Sequence, residues 1–274
     1  MKSKPALRLN EIQRNVVESA RIIRSKTTIR PKIGIILGSG LGEFGESLSR
    51  KKSIENSSVP HYPVSTIEGH HGRLIFGKLH GKSLIVFQGR VHFYESGDIE
   101  QVLYPIRVAH RLGVRTLLLT NAAGGVNRSF RPGDLMVITD HLNLTFENPV
   151  SDPTPQIHCG VYDAKLQEII NAIGRKQNID LREGVYCGIK GPSYETAAEV
   201  EMVRRLGGDA VGMSTVNEAS FARSLGMRIA GISCITNLST GILPRKLSHD
   251  EVTEVANRVK KTFRSLLEGI VREL

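Results

Sequence analysis

Thr116-Leu117-Leu118-Leu119-Thr120-Asn121-Ala122-Ala123-Gly124-Gly125 is an uncharged run that passes from branched apolar side chains to an amide and four small residues. Its first half is continuously apolar rather than alternating, as a strand buried on both faces requires. Its second half lets the main chain approach whatever lies at the strand's end. The same grammar repeats outward. Residues 32–37 read as a buried strand running into Gly38-Ser39-Gly40-Leu41-Gly42, and strands over 73–76 and 83–88 lead to Gly89-Arg90-Val91-His92-Phe93-Tyr94-Glu95. Downstream, 135–139, 184–189, 209–215 and 228–236 read as further strands, the last ending at Asn237.

Helical patterns separate these strands. Residues 10–25 carry Ile12, Val16, Val17, Ala20 and Ile23 on one face, with Asn10 and Gln13 as a capping pair. Residues 99–112 contain Pro105 and stop at Gly113; 163–177 and 217–225 follow the same period, the latter ending at Gly226. Ser248 and Glu251 stand in capping-box spacing ahead of a last helix through about 268. Strands alternating with helices predict one α/β domain over 1–274, with a central twisted, mixed but mostly parallel β-sheet flanked by helices. No linker or composition break divides the chain.

Composition narrows the function. No apolar run reaches the roughly 18 residues a bilayer crossing needs, and no signal peptide is legible, so a soluble cytoplasmic protein is expected. Cys159, Cys187 and Cys234 are odd in number and far apart, against a disulfide framework or a metal knot. The net charge is +10, but Lys and Arg are scattered and there is no Trp, so the excess reads as attraction for anions, with neither nucleic acid nor membrane as partner.

The glycine-rich turn at 38–42 suits an anion held by backbone N–H groups and a Ser hydroxyl. It is neither a dinucleotide fingerprint, since Glu43 stands where the third glycine should, nor a P-loop, since no Gly-Lys-Ser/Thr follows. Gly69-His70-His71-Gly72 places two adjacent histidines on a loop, and no second cluster with metal-ligand spacing accompanies them. If 90–94 is extended, period-2 alternation puts Arg90, His92 and Tyr94 on one side, an anion clamp or an exposed strand face. In Gly191-Pro192-Ser193-Tyr194-Glu195-Thr196-Ala197-Ala198-Glu199, Thr196 and Glu199 form a capping box. Ala197, Val200, Met202, Val203 and Leu206 are the apolar positions of the helix they open, and Glu195 falls just outside it. There its carboxylate can point into a cleft, but on these residues alone Glu195 reads as a solvated loop acid.

The strands end in Ser39, Arg90 and His92, Asn121-Ala122, Met213-Ser214 and Asn237. In an open α/β sheet ligands collect outside the carboxyl ends of the strands. Hydroxyls, an Arg, a His and a backbone N–H suit phosphate, whereas a carboxylate and a carboxamide suit the edge of a purine.

In this order, Gly38-Ser-Gly-Leu-Gly, Gly69-His-His-Gly, Gly89-Arg-Val-His-Phe-Tyr-Glu, Asn121-Ala-Ala-Gly-Gly, Gly191-Pro-Ser-Tyr-Glu-Thr, Gly212-Met-Ser-Thr and Ile235-Thr-Asn resemble the purine nucleoside phosphorylases of the trimeric, low-molecular-mass type. The resemblance spans most of the chain. It implies reversible phosphorolysis of (deoxy)inosine and (deoxy)guanosine to purine base and (deoxy)ribose 1-phosphate, with inorganic phosphate as co-substrate, no redox cofactor and no metal, in a homotrimer. By resemblance Ser39, His70, Arg90, His92, Ala122 and Ser214 bind phosphate; Glu195, Asn237 and Tyr194 bind the base, with Tyr186 nearby; Tyr94, Met213 and His249 bind ribose. Asn237, Glu195 and His92 are the implied catalytic residues. The segment 143–160 matches the family only at Asn148-Pro149, and Phe146 stands where an aromatic residue reaches a neighbouring subunit's site. Lys190 departs from the family pattern. A methylthioadenosine or xanthosine phosphorylase and a non-catalytic purine or phosphate sensor are the competing readings, although Asn237, where an acid would favour a 6-aminopurine, points to 6-oxopurines.

Overall fold

The computed structural model describes residues 5–38, 42–66, 72–150, 160–242 and 249–274. The strands are β1 (Ile33–Leu37), β2 (Ser49–Glu55), β3 (Arg73–Leu79), β4 (Lys82–Gln88), β5 (Thr116–Gly125), β6 (Leu135–Asn143), β7 (Leu181–Gly188), β8 (Ala210–Gly212) and β9 (Arg228–Leu238). The helices are α1 (Pro5–Lys26), α2 (Phe93–Ser96), α3 (Ile99–Leu112), α4 (Ala164–Lys176), α5 (Ala197–Arg205), α6 (Val216–Ser224) and α7 (His249–Glu273). The strands lie in the order β2-β3-β4-β1-β5-β8-β7-β6-β9, and β5 also pairs with β9. The last five strands therefore close on themselves, a ring that the sequence pattern does not disclose. Pairing is parallel around β1, between β5 and β9, and along β6-β7-β8; it is antiparallel along β2-β3-β4, at β5-β8 and at β6-β9.

The central strands are continuously apolar because both faces are covered. Ile85 and Phe87 of β4 and Leu117 and Leu119 of β5 enter the core shared with α1, α3 and α6. Leu84, Val86 and Leu118, one residue out of phase, enter the core shared with α4 and α7. A smaller cluster seats Val200 and Val203 of α5 against Val126, Cys187 and Val211. Met202 and Leu206, expected on the packed face, are exposed, because a helix this short turns only one narrow stripe inward.

Helix ends follow their local chemistry. Asp98 caps α3, accepting from the Glu100 amide at 3.0 Å, and Gly113 closes it at φ 108°. Thr196 and Glu199 form the reciprocal capping box of α5. Asn10 and Gln13 are no cap: α1 begins at Pro5, which suits a first turn. Ser248 lies outside the described residues. β2 escapes periodicity because only Ile54 is buried in a charged edge strand.

Two further corrections concern the site. Residues 90–94 are not a strand: β4 stops at Gln88, Gly89 turns at φ 114°, and an extended link ends at His92, the N-cap of α2. β5 continues beyond Thr120 to Gly125, and its pairing with β9 shifts register between Ala123 and Gly124. That irregularity sits where Thr236 and Asn237 meet the small residues of β5.

Candidate active site

The carboxyl ends of β1, β4, β5 and β9, with the β8–α6 turn, surround a cleft of about 410 Å³. Gly38 enters it from β1. A side chain there would come within 2.6 Å of the Asn121 backbone, so close approach of β1 and β5 requires glycine. The Gly38 amide donates to the Thr120 hydroxyl at 2.9 Å, which donates to the Ile36 carbonyl at 3.0 Å, fastening the two strand ends together.

Arg90 is the organising charge of the cleft lining. Its Nη1 donates to Ser214 Oγ at 2.9 Å and its Nε to Glu218 Oε1 at 3.1 Å. Both members of this ion pair have side chains only 3% exposed. The other Glu218 oxygen accepts from the Thr215 amide at 2.7 Å, and Thr215 Oγ1 accepts from Asn121 Nδ2 at 2.9 Å. Thr215 thereby holds a φ of 74°, uncommon for a β-branched residue, at the turn that carries Ser214. Asn121 Oδ1 is buried without a hydrogen-bond partner among the described residues.

His92 is fixed independently. Glu95 Oε1 accepts from the His92 amide at 2.6 Å and lies 3.2 Å from His92 Nδ1, while the ring stacks on Tyr94 at 5.1 Å. Glu95 Oε2 accepts from the Ser65 hydroxyl and from the amide and hydroxyl of Thr66. Burial pushes the Glu95 carboxyl up, but these hydrogen bonds outweigh it and hold the pKa at about 2. Glu95 is therefore a carboxylate that ties His92 to the start of the segment bearing His70.

Glu195 and Asn237 also line the cleft, 9% and 6% exposed. Glu195 is thus no solvated loop acid, and burial raises its pKa. The Asn237 carboxamide is oriented by its neighbours: Oδ1 accepts from the Thr236 hydroxyl at 3.0 Å and Nδ2 donates to the Leu238 carbonyl at 3.3 Å. Tyr94, Met213 and half-exposed Tyr194 line the same cleft, with Ala122 contributed by β5.

The structure therefore gathers Arg90, His92, Tyr94, Ala122, Tyr194, Glu195, Met213, Ser214 and Asn237 around one cleft. Ser39 and His70 lie outside the described residues, as does the His249 side chain at the start of α7. Tyr186 does not line the cleft; it is fully buried beneath Gly212. Lys190, unexplained by sequence, pairs with Glu147 at 2.8 Å and lies 5.1 Å from the Phe93 ring centre, tying the 143–150 segment to the turn before Glu195. Glu218, Glu95 and Thr236 are the residues that sequence reasoning missed. Thr215 with Glu218, and His92 with Glu95, stand in capping-box spacing, a signal for the helix starts. Nothing in that spacing announces the distant partners Arg90, Ser65 and Thr66, and Thr236 acts on its own neighbour. Among the described residues no cluster of three or more His, Cys, Asp or Glu could hold a metal ion. Cys187 and Cys234 are buried, their pKa values pushed up to about 12 by burial, so both are inert thiols.

Such a cleft, lined by oxyanion donors and by a carboxylate with a carboxamide, accompanies a family match. Residues 32–272 match the Phosphorylase superfamily, and the chain belongs to it. Within that family it is 46% identical over 266 residues to purine nucleoside phosphorylase 1 of Bacillus subtilis strain 168, across 94% of this chain and 98% of that protein. It is also similar to the crystal structure of Schistosoma mansoni purine nucleoside phosphorylase in complex with inosine, with a TM-score of 0.89 at 35% identity over 95% of this chain and 96% of that one. The complex of a purine nucleoside phosphorylase from the same organism with adenosine gives 0.89 at 36% identity, over 95% and 97%.

Proposed function

We propose that this protein is a purine nucleoside phosphorylase, a pentosyltransferase that cleaves the N-glycosidic bond of inosine and guanosine with inorganic phosphate. The observation that carries this reading is that one cleft is lined by both Arg90 with its hydrogen-bonded Ser214 and the buried Glu195 and Asn237. Phosphate is the nucleophile and the only co-substrate, with neither metal nor redox cofactor. Arg90, Ser214, His92 and the backbone at Ala122 hold it, with Ser39 and His70 completing the clamp, so that it attacks the anomeric carbon in line. As the bond breaks, positive charge grows on the sugar beside the phosphate and negative charge grows on the leaving base. Asn237 donates to the base N7 and Glu195 accepts the N1–H that 6-oxopurines carry, stabilising that leaving base. Tyr94, Met213 and His249 position the ribose, and Tyr194 walls the base.

We further propose a cytoplasmic homotrimer. Phe146 supports the assembly: it is 85% exposed, its φ is 56°, and Asn143 braces its turn by accepting from Thr145 and donating to the Glu147 carbonyl. An aromatic ring held outward in this way suits a neighbour's ribose site. The test is an assay of inosine, guanosine, xanthosine, adenosine and methylthioadenosine with phosphate. The 6-oxopurine nucleosides should be cleaved most efficiently. Equal or greater efficiency with adenosine or methylthioadenosine would overturn the assignment of the base site.

A further inference from the structure

A second cleft, of about 640 Å³, opens on another part of the molecule, between the end of α1, the link to β1 and the edge of the sheet at β2, β3 and β4. Its lining includes Arg24, Lys26, Arg30, Arg50, Lys52 and Lys78 and, among the described residues, no carboxylate. The bonds these cations make run to uncharged groups. Arg24 donates to the Arg111 carbonyl, Lys26 to the carbonyl and hydroxyl of Ser58, and Arg30 to the carbonyls of Thr27 and Ile29. Lys51, between Arg50 and Lys52, is by contrast paired with Glu46 and does not line the cleft. The pairing of β2 with β3 shifts register between Ser49 and Lys52, and Arg50 holds a φ of 51° there. Cations gathered, among the described residues, without a carboxylate in the same lining repel one another, and a multivalent anion relieves that repulsion.

We propose that this cleft binds an oligophosphate, inorganic or carried by a nucleotide. The charge calls for several phosphates on one ligand. The lining offers hydroxyls at Thr28 and Ser83 but no aromatic ring and, in Ile29, a single aliphatic side chain, so it recognises phosphates and has nothing on which to stack a base. The volume suits a small molecule rather than a flat macromolecular contact. The site is separate from catalysis: Ser83, near the start of β4, and Gln88, its last residue, lie about 17 Å apart at the usual rise of a strand, and Arg90 follows beyond that far end.

Calorimetric titration of the full chain with tripolyphosphate and with ATP, at low and at raised salt, tests this. Parallel samples carry Arg50→Glu with Lys52→Glu, or Lys78→Gln alone, and inosine turnover is measured in each. Both ligands should bind at low salt and weaken about tenfold or more as salt rises severalfold. Binding should fall at least tenfold in the double variant and less in Lys78→Gln, with turnover at saturating substrates unchanged. Equal affinities assign recognition to the phosphates alone, and tighter ATP binding assigns the source as a nucleotide; both support the site when the double variant abolishes them. The proposal is overturned by absence of binding at low salt, or by binding that survives the double variant and disappears when inosine and phosphate fill the catalytic cleft. It is equally overturned by preference for a single-stranded oligonucleotide with affinity growing with length.

Discussion

Replacing Arg90 by Met removes a charge that two different partners use, and the structure lets their contributions be separated. Arg90 neutralises Glu218 across 3.1 Å, with both side chains almost fully buried. Removing one member of such a pair strands the other, at a cost of about 3–5 kcal/mol, whereas replacing both with uncharged groups of similar size is often close to neutral. In Arg90→Met combined with Glu218→Gln, the Gln carbonyl can still accept from the Thr215 amide, which the Glu218 carboxylate does at 2.7 Å. The double variant should therefore regain most of the stability that the single variant loses. Phosphate gains nothing from that repair. Loss of the charged donors costs it about 1.5–3 kcal/mol, or roughly 10- to 150-fold in phosphate affinity. Urea denaturation followed by circular dichroism reads the first effect, and phosphate titration at saturating inosine reads the second. Arg90 would not be the phosphate ligand if Arg90→Met moved the phosphate dependence less than threefold. An unchanged stability in that variant would contradict the buried pair.

Asn237→Asp should shift the ratio of catalytic efficiencies for inosine and adenosine by about tenfold or more toward adenosine, since a carboxylate accepts from the 6-amino group and each unpaired polar group costs about 1–3 kcal/mol. An unchanged ratio would remove Asn237 from the base site. Glu195→Gln should raise the stability of the empty enzyme at pH 7. Burial lifts the folded-state pKa of Glu195 above the ordinary 4.5, so the stabilising share of this group is full below 4.5 and is lost as pH rises through the folded value. Thermal melts of both proteins should accordingly converge below pH 4.5, and a Gln advantage that persisted there would have another origin. Phe146→Ala should weaken nucleoside use with little loss of monomer stability, because the ring is exposed. Light scattering at micromolar concentration should give a trimer for the native chain, and a fully active monomer would sink the shared site.

Much of this molecule is legible in the sequence because its strands are buried on both faces and its helices are capped. Leu117-Leu118-Leu119 and the Thr196–Glu199 box needed only local rules. Residues at strand ends were legible as a set, since chemistry recurring at the carboxyl ends of a sheet implies one cleft. What escaped depends on contacts between distant parts of the chain. Glu218 is a carboxylate inside an ordinary helix until folding brings it to Arg90, 128 residues away. Closure of β5 onto β9 rests on backbone register, which side-chain pattern specifies only as inward or outward. Arg90, His92 and Tyr94 were placed together for the wrong reason: alternation along a strand was inferred, and a turn into α2 delivers the same cleft. β2 was missed because its pattern is that of a protected edge, where charge replaces the apolar signal.

The central claim is that phosphate, not water, attacks the sugar. Incubation of the purified protein with inosine and inorganic phosphate, followed by phosphorus and proton NMR, measures this directly. Hypoxanthine and ribose 1-phosphate should appear in equal amounts, and neither should form when phosphate is left out. Free ribose as the sugar product, or base release at the same rate without phosphate, would contradict the assignment of Arg90 and Ser214 to a nucleophilic phosphate.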